Sequence, residues 1–366
     1  MPKILFIAAH RPNRSPSQRF RFEQYFEFLG QNDWEVEFSY IIDEHSDKVL
    51  YQSGRIVSKA FVFAKSVVFR LKDLIKSRNV DIVFVQREAL MTGSTFFEKQ
   101  FSKKSRLIFD FDDSIWLHDI NPKQGILNKL KDASKTSRII GCADLIFAGN
   151  QYLADYSKQF NSNVKIIPTT IDTEEYQRVT TEKNQDGICI GWSGSFSTIK
   201  HFETIIPALI RIKEQYKGRV YFKVIGDGNY VNDKLAIKGL PWSKQSEIED
   251  LSEIDIGIMP LPDDEWSKGK CGLKGLQYMA LKIPTIMSPV GVNTEIIQDG
   301  ENGFLASESE EWVEKLSKLI ESAELRQQLG QKGRETVVKQ YSVEANKSLY
   351  LEAFNALINH SSTGSE

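Results

Sequence analysis

Short apolar runs alternate along this chain with longer stretches that are apolar on one side only. Lys3–Ala9, Glu35–Ile41, Val80–Val85, Leu107–Phe111, Asp144–Ala148 and Val164–Ile167 read as buried strands. Gln18–Leu29, Lys59–Lys76 and Leu127–Ile140 lie between them with helical spacing. This alternation predicts βαβ units and a parallel sheet, one doubly wound domain over residues 1–168. A polar, β-poor segment follows, 169–186, and reads as a hinge. The pattern then restarts. Gly187–Trp192, Val220–Ile225, Ile254–Met259 and Thr285–Met287 are strand candidates, and Phe202–Tyr216, Leu273–Leu281 and Glu310–Ala323 are helix candidates. A second Rossmann-like domain over 187–340 is expected. The stretch Leu325–Ile358 is helical in pattern, with a C-terminal helix over 341–360 and a disordered tail over 361–366. The fold class is therefore α/β, two Rossmann-like parallel-sheet domains facing each other across a cleft. In such folds ligands gather where helix N-termini and free amides meet the carboxyl ends of the strands.

Composition narrows the function. The 366 residues suit two domains, each large enough for its own core. With 47 Lys and Arg against 49 Asp and Glu the formal charge is −2, so nothing calls for a nucleic-acid partner. Cys142, Cys189 and Cys271 are far apart, which fits a reducing compartment without disulfides or structural zinc. The apolar run Ile4–Ala9 is short for a signal peptide, and no stretch approaches the ~20 apolar residues that span a bilayer. The expected location is the cytoplasm. Lys59–Arg78 is amphipathic and basic. It either packs on its sheet or gives peripheral contact with the inner face of a membrane and a lipid-linked acceptor.

Candidate chemistry lies on loops after strands. In Gly191–Lys200, Gly191 and Gly194 permit close backbone approach, Ser195 offers hydrogen bonds and Lys200 a cation, a set suited to a diphosphate; a plain strand-to-helix turn is the alternative. Gly226-Asp227-Gly228 forms a second glycine turn. In Trp266–Ala280, Lys268, Lys270 and Lys274 crowd the start of a helix, where cations are unfavourable unless an anion binds. Lys270, Lys274 and Gln277 recur at helical spacing. Asp110, Asp112 and Asp113 end a buried strand, so they must reach a cleft, a cation or an arginine. Arg19 and Arg21 open the first helix, as contacts for acceptor or phosphate or as surface arginines. No metal-ligand cluster stands out.

These stretches resemble the retaining GT-B glycosyltransferases of family 4, the group 1 glycosyltransferases. The resemblance is carried by Val164–Pro168 with Ile171-Asp172, Gly191–Lys200, Val224–Gly228, Leu276–Ala280 with Ile283–Thr285, Gly291–Glu295, Leu325–Gly330 and Gly333-Arg334. It implies a sugar transferred from a nucleoside-diphosphate sugar to a glycan, lipid-linked or other hydroxyl acceptor, with retention and without a metal or other cofactor. Carried over by position, the family's phosphate lysine is Lys200, and its arginine is replaced by Ser195. Its paired glutamates fall at Gly269 and Gln277, and Glu295 matches the acid after its Gly-rich loop at Gly291. The family's histidine aligns with Asp112. The expected donor site is Gly194, Ser195, Lys200, Gly226, Gly228, Lys270, Lys274, Gln277, Gly291 and Glu295, with Asp112, Asp113 and Lys200 catalytic. A sugar-nucleotide epimerase and a non-catalytic sugar-nucleotide-binding subunit of a polysaccharide assembly complex are the alternatives.

Overall fold

A computed structural model of the chain describes residues 1–50, 54–117, 132, 134–180 and 186–359. It divides into two compact units, Met1–Pro168 with Lys347–Glu366, and Thr169–Asn346. The C-terminal stretch from Lys347 thus completes the first unit. The expected disordered tail, and the part of the expected helix 127–140 before Asp132, lie outside the described residues.

The first unit holds six strands, β1 (Lys3–His10), β2 (Glu35–Ile42), β3 (Ile82–Gln86), β4 (Arg106–Phe111), β5 (Leu145–Ala148) and β6 (Val164–Ile166), in the order β2-β1-β3-β4-β5-β6. Every pair is parallel. The strand order reverses direction between β1 and β3. Residues 82–86 of β3 are buried throughout, as a central strand covered on both faces requires. The core is aromatic: Phe22 stacks on Phe6; Phe6, Phe84 and Phe147 meet Phe354 of the helix Val343–Asn359, and Tyr350 of that helix meets Phe147. Each such burial contributes about 1.5–3 kcal/mol.

The expected single helix over 18–29 is instead broken into the helix Pro16–Arg19, a 3-10 turn Glu23–Tyr25 and the helix Phe26–Gln31. Gln18, Arg19, Phe20, Arg21 and Phe22 are all buried. A straight surface helix has one outward side, so five consecutive inward residues force the chain out of helix here.

The second unit holds β7 (Ile188–Ser193), β8 (Val220–Gly226), the hairpin β9 (Val231–Asn232) and β10 (Ile237–Lys238), then β11 (Leu240–Pro241), β12 (Ile256–Met259), β13 (Thr285–Met287) and β14 (Phe304–Leu305). Its main sheet runs β11-β8-β7-β12-β13-β14, again parallel, and reverses between β7 and β12. Trp192, Phe202, Leu209, Ile212, Val224, Ile258, Ile286, Trp312 and Leu316 form its core. The expected helix Phe202–Tyr216 is split into Ile199–Glu203 and Ile206–Gln215. Pro207 explains the break: it lacks an N–H and fits the first turn of a new helix. The helices Ser309–Glu321 and Ala323–Thr336 are separate because Ser322 caps the second, accepting from the amide of Leu325 at 3.0 Å.

Candidate functional site

In the second unit the loops after β7 and β12 leave the sheet where its strand order reverses, the place where open α/β sheets bind ligands. The loop after β7 is tight. Ser195 accepts from the Thr198 amide at 2.9 Å, and the Thr198 hydroxyl accepts from the Ser195 amide at 3.1 Å. Gly194 and Gly226 press backbone against backbone: a Cβ on Gly226, whose φ is +126°, would fall 1.5 Å from the Gly194 oxygen. Gly228 is less confined: a Cβ there would lie 3.3 Å from the Pro241 ring. The Ser193 amide donates to the Tyr278 hydroxyl at 2.7 Å, which ties the end of β7 to the helix Leu273–Ala280.

Lys274, in the first turn of that helix, lies with its ammonium 4.9 Å from the centre of the Trp192 ring and 3.5 Å from the Thr198 hydroxyl. Lys270 lies 5.2 Å from the Trp266 ring centre. Lys200 is exposed on the short helix after the loop. The next residue, His201, connects them. It is buried, and its Nε2 meets no hydrogen-bond partner among the described residues. Burial pushes its pKa down to about 4, and the charges of Lys274, Lys270 and Lys200 push the same way, while Asp264 opposes them. Lys274 and Thr198 thus join the segments after β7 and β12, and Lys200 and Lys270 lie on those same segments, cations suited to a bound anion.

Other expected donor contacts are placed differently. Gln277 is buried, and its amide donates to the Tyr176 hydroxyl at 3.1 Å and to Glu247 at 3.2 Å. Glu247 also accepts from Tyr176 at 2.6 Å and from the Trp242 indole at 2.9 Å. The Gln277 amide is thus committed to an internal polar knot, where the sequence suggested a donor ribose. Gly291 has φ +55° and packs on the backbone of Lys268, 2.8 Å from a built Cβ. Glu295 is exposed and stands near Tyr341, whose pKa is pushed up to about 12 by burial and then by that carboxylate.

In the first unit the three aspartates at the end of β4 find arginines. Asp110 is fully buried and pairs with Arg21, which also donates to the Ile167 oxygen. Arg21 was expected as an acceptor or phosphate contact, but its side chain has 0% exposure and is a core group. Arg19 is also buried, its guanidinium 4.8 Å from the Phe20 ring centre. Asp112 and Asp113 are partly open and share Arg87, at 2.8 and 2.7 Å from Nη2. The same nitrogen donates to the Ser17 hydroxyl at 2.7 Å, and the Arg87 amide donates to the Asp110 oxygen at 2.8 Å. Arg87 so joins the segments after β1, β3 and β4. Burial works to raise the Asp112 pKa, but Arg87 and Arg21 outweigh it, and the carboxyl stays below its ordinary range. Arg87 was not singled out from the sequence. Its one signal is position, the first charged residue after a buried run, at the strand end beside the reversal point.

Residues 187–322 match the family described as glycosyl transferases group 1. An uncharacterized glycosyltransferase of Methanocaldococcus jannaschii is 23% identical over 291 residues, 74% of this chain and 72% of its own length. The N-acetyl-alpha-D-glucosaminyl L-malate synthase of Bacillus anthracis is 23% identical over 211 residues, 52% of this chain and 53% of that protein. Among solved structures, the sucrose-phosphate synthase of Thermosynechococcus elongatus superposes with a TM-score of 0.69 at 14% identity, covering 97% of this chain and 100% of that one. Anabaena HepE in complex with UDP and glucose superposes at 0.63, 14% identity and the same coverage. The fold is GT-B, and the family match and the relatives together support a glycosyltransferase.

Proposed function

We propose that the chain transfers a sugar from a nucleoside-diphosphate sugar to a hydroxyl group of a glycan or lipid-linked acceptor, with retention of configuration. The observation that carries this reading is the meeting of the segments after β7 and β12 at the reversal point of the second sheet, where Lys274 lies 3.5 Å from the Thr198 hydroxyl and Lys200 and Lys270 stand on the same two segments. The donor diphosphate sits among these ammonium groups, with the amides of Gly194 and Ser195 as further donors. As the glycosidic bond breaks, negative charge grows on the leaving phosphate, and cations already in place stabilise it without reorganising. The leaving phosphate takes the acceptor proton. In the first unit Asp112, kept ionised by Arg87, orients the acceptor or stabilises the oxocarbenium-like state. The thiols of Cys142 and Cys189 suit the cytoplasm.

A thermal-shift screen against UDP, GDP, ADP and CMP sugars tests this directly, because a ligand that binds only the native state raises its apparent stability. UDP sugars come first, since HepE was solved with UDP and glucose. Lys200→Ala is expected to weaken nucleoside diphosphates by about 10-fold or more and nucleosides little, the loss of one charge-assisted contact. Equal weakening of both would remove Lys200 from the phosphate site. A chain that binds the donor and never transfers it to any acceptor would favour the non-catalytic subunit.

A further inference from the structure

The helix Ile56–Lys76 is turned inside out. Its buried residues are Val62, Ser66, Arg70, Asp73 and Leu74, most of them polar. Arg70 donates to the Ala8 oxygen at 2.6 Å, to the Ala89 oxygen at 2.5 Å and to Asp73 at 2.8 Å, so the helix is anchored to its sheet largely through an arginine. Apart from Val62 and Leu74, most of its apolar residues face outward. Val57, Phe61, Ala64, Val68, Leu71 and Ile75 recur at alternating steps of four and three, which aligns them in one stripe along the helix. Val57 is 84% exposed, Phe61 72%, Val68 52%, Leu71 47% and Ile75 67%. A continuous exposed apolar stripe of this length marks an interaction surface.

Charge decides what covers it. The helix carries Lys59, Lys65, Lys72 and Lys76, and its one acid, Asp73, is paired inward with Arg70. Lys65 and Lys76 lean to Asp43 and Glu37, while Lys59 and Lys72 form no ion pair among the described residues. Lys65 and Lys72 both lie 5.8 Å from the Phe69 ring centre, at one border of the stripe. A second copy of the chain would bring the same lysines to the seam with no helix acid to meet them. An anionic lipid surface accepts both parts, apolar side chains among the acyl chains and ammonium groups among the phosphates. Among the described residues no helix is long and apolar enough to cross a membrane, so the helix would lie on the surface.

We propose that the outer face of the helix Ile56–Lys76 docks on an anionic lipid bilayer. This rests on no part of the donor-site reading. Vesicle co-sedimentation of the full chain tests it, using phosphatidylcholine alone or mixed with phosphatidylglycerol. Binding to the mixed vesicles is expected to be at least about tenfold stronger, and to fall with added salt. The double variant V68E/L71E should reduce it to the phosphatidylcholine level, and K59E/K72E should weaken it, with circular dichroism and the melting temperature unchanged in both. Absent binding, equal binding to the two vesicle types, or binding untouched by V68E/L71E would overturn the proposal. So would a dimer in sedimentation velocity that the double variant abolishes while vesicles bind nothing, since the face would then belong to a second copy.

Discussion

Arg87 has φ +60°, a left-handed conformation that costs an ordinary side chain about 1 kcal/mol or more. The turn is retained because it aims the guanidinium at Asp112, Asp113 and Ser17 together. Arg87→Ala leaves two carboxylates side by side with their shared cation gone. With the arginine a third exposed, a loss of roughly 1–3 kcal/mol is expected, between the values for surface and buried pairs. The pH dependence has a definite sign. A depressed Asp112 pKa gives stability that is present above the ordinary aspartate range and is lost as pH falls through the folded value. In Arg87→Ala the folded Asp112 value rises toward or past the unfolded one, so this part of the acid loss should shrink, as read from urea midpoints across pH. An unmoved acid limb would show that Arg87 does not hold Asp112 ionised. His201 behaves oppositely to a paired histidine. Its folded pKa is lowered to about 4 from 6.5, so the unfolded chain binds the proton first and stability falls as pH drops between those values. His201→Gln should flatten that slope, which one such histidine can steepen by at most about 1.4 kcal/mol per pH unit. An unchanged slope would mean that the imidazole is not kept neutral. The aspartates and lysines were legible in sequence because charge beside a buried strand or at a helix start is locally anomalous. Their partners were not, since Arg87 meets Ser17 70 positions away and Gln277 meets Tyr176 101 positions away. Arg21 misled for the same reason, for nothing local reveals that Asp110 draws it inside.

At the scale of elements, the glycine turns at the carboxyl edge of the second sheet are one structure rather than two. The amide of Gly194 donates to Ile225 at 2.9 Å, and Gly226 has no room for a side chain against Gly194. The β7 and β8 turns therefore fix each other, and with them the amides offered to a phosphate. Gly226→Ala meets both a backbone oxygen and a left-handed φ, so a loss of at least about 2 kcal/mol is expected, with weaker diphosphate binding. Gly228→Ala, whose Cβ would meet only Pro241 at 3.3 Å, should cost much less. Chemical denaturation of both variants checks this, and similar losses would show that the Gly194–Gly226 approach is not what limits the turn. The long strands were legible because their apolar runs exceed what a surface loop carries. The strands β9, β10, β11 and β14 have two residues each, too few for a period to register. The helix Ile56–Lys76 was legible as amphipathic, but its orientation was not, because sequence periodicity does not say which face an arginine-centred anchor will turn inward.

At the scale of the whole chain, the first unit is finished by residues that are synthesised after the second. Tyr350 and Phe354 are fully buried in it. The Tyr350 ring stacks on Tyr25 with centroids 4.2 Å apart, and its hydroxyl donates to the Arg21 oxygen. Phe354 meets Trp34 at 5.5 Å and Phe147 at 6.1 Å. The buried Arg21–Asp110 pair thus lies directly under the last helix, and an open end there would leave both the aromatic core and that ion pair short of cover. Two units with separate cores need not unfold together. Phe354→Ala should cost the first unit about 3–5 kcal/mol, the usual loss for an aromatic cavity, and the second unit little. Hydrogen exchange read by mass spectrometry separates the two. Peptides from β1 to β6 should lose protection in the variant, while those from β7 to β14 keep it. Uniform loss over both sets would show that the units fold as one, and no loss in the first would show that the C-terminal helix is an ornament on a core already closed by residues 1–168.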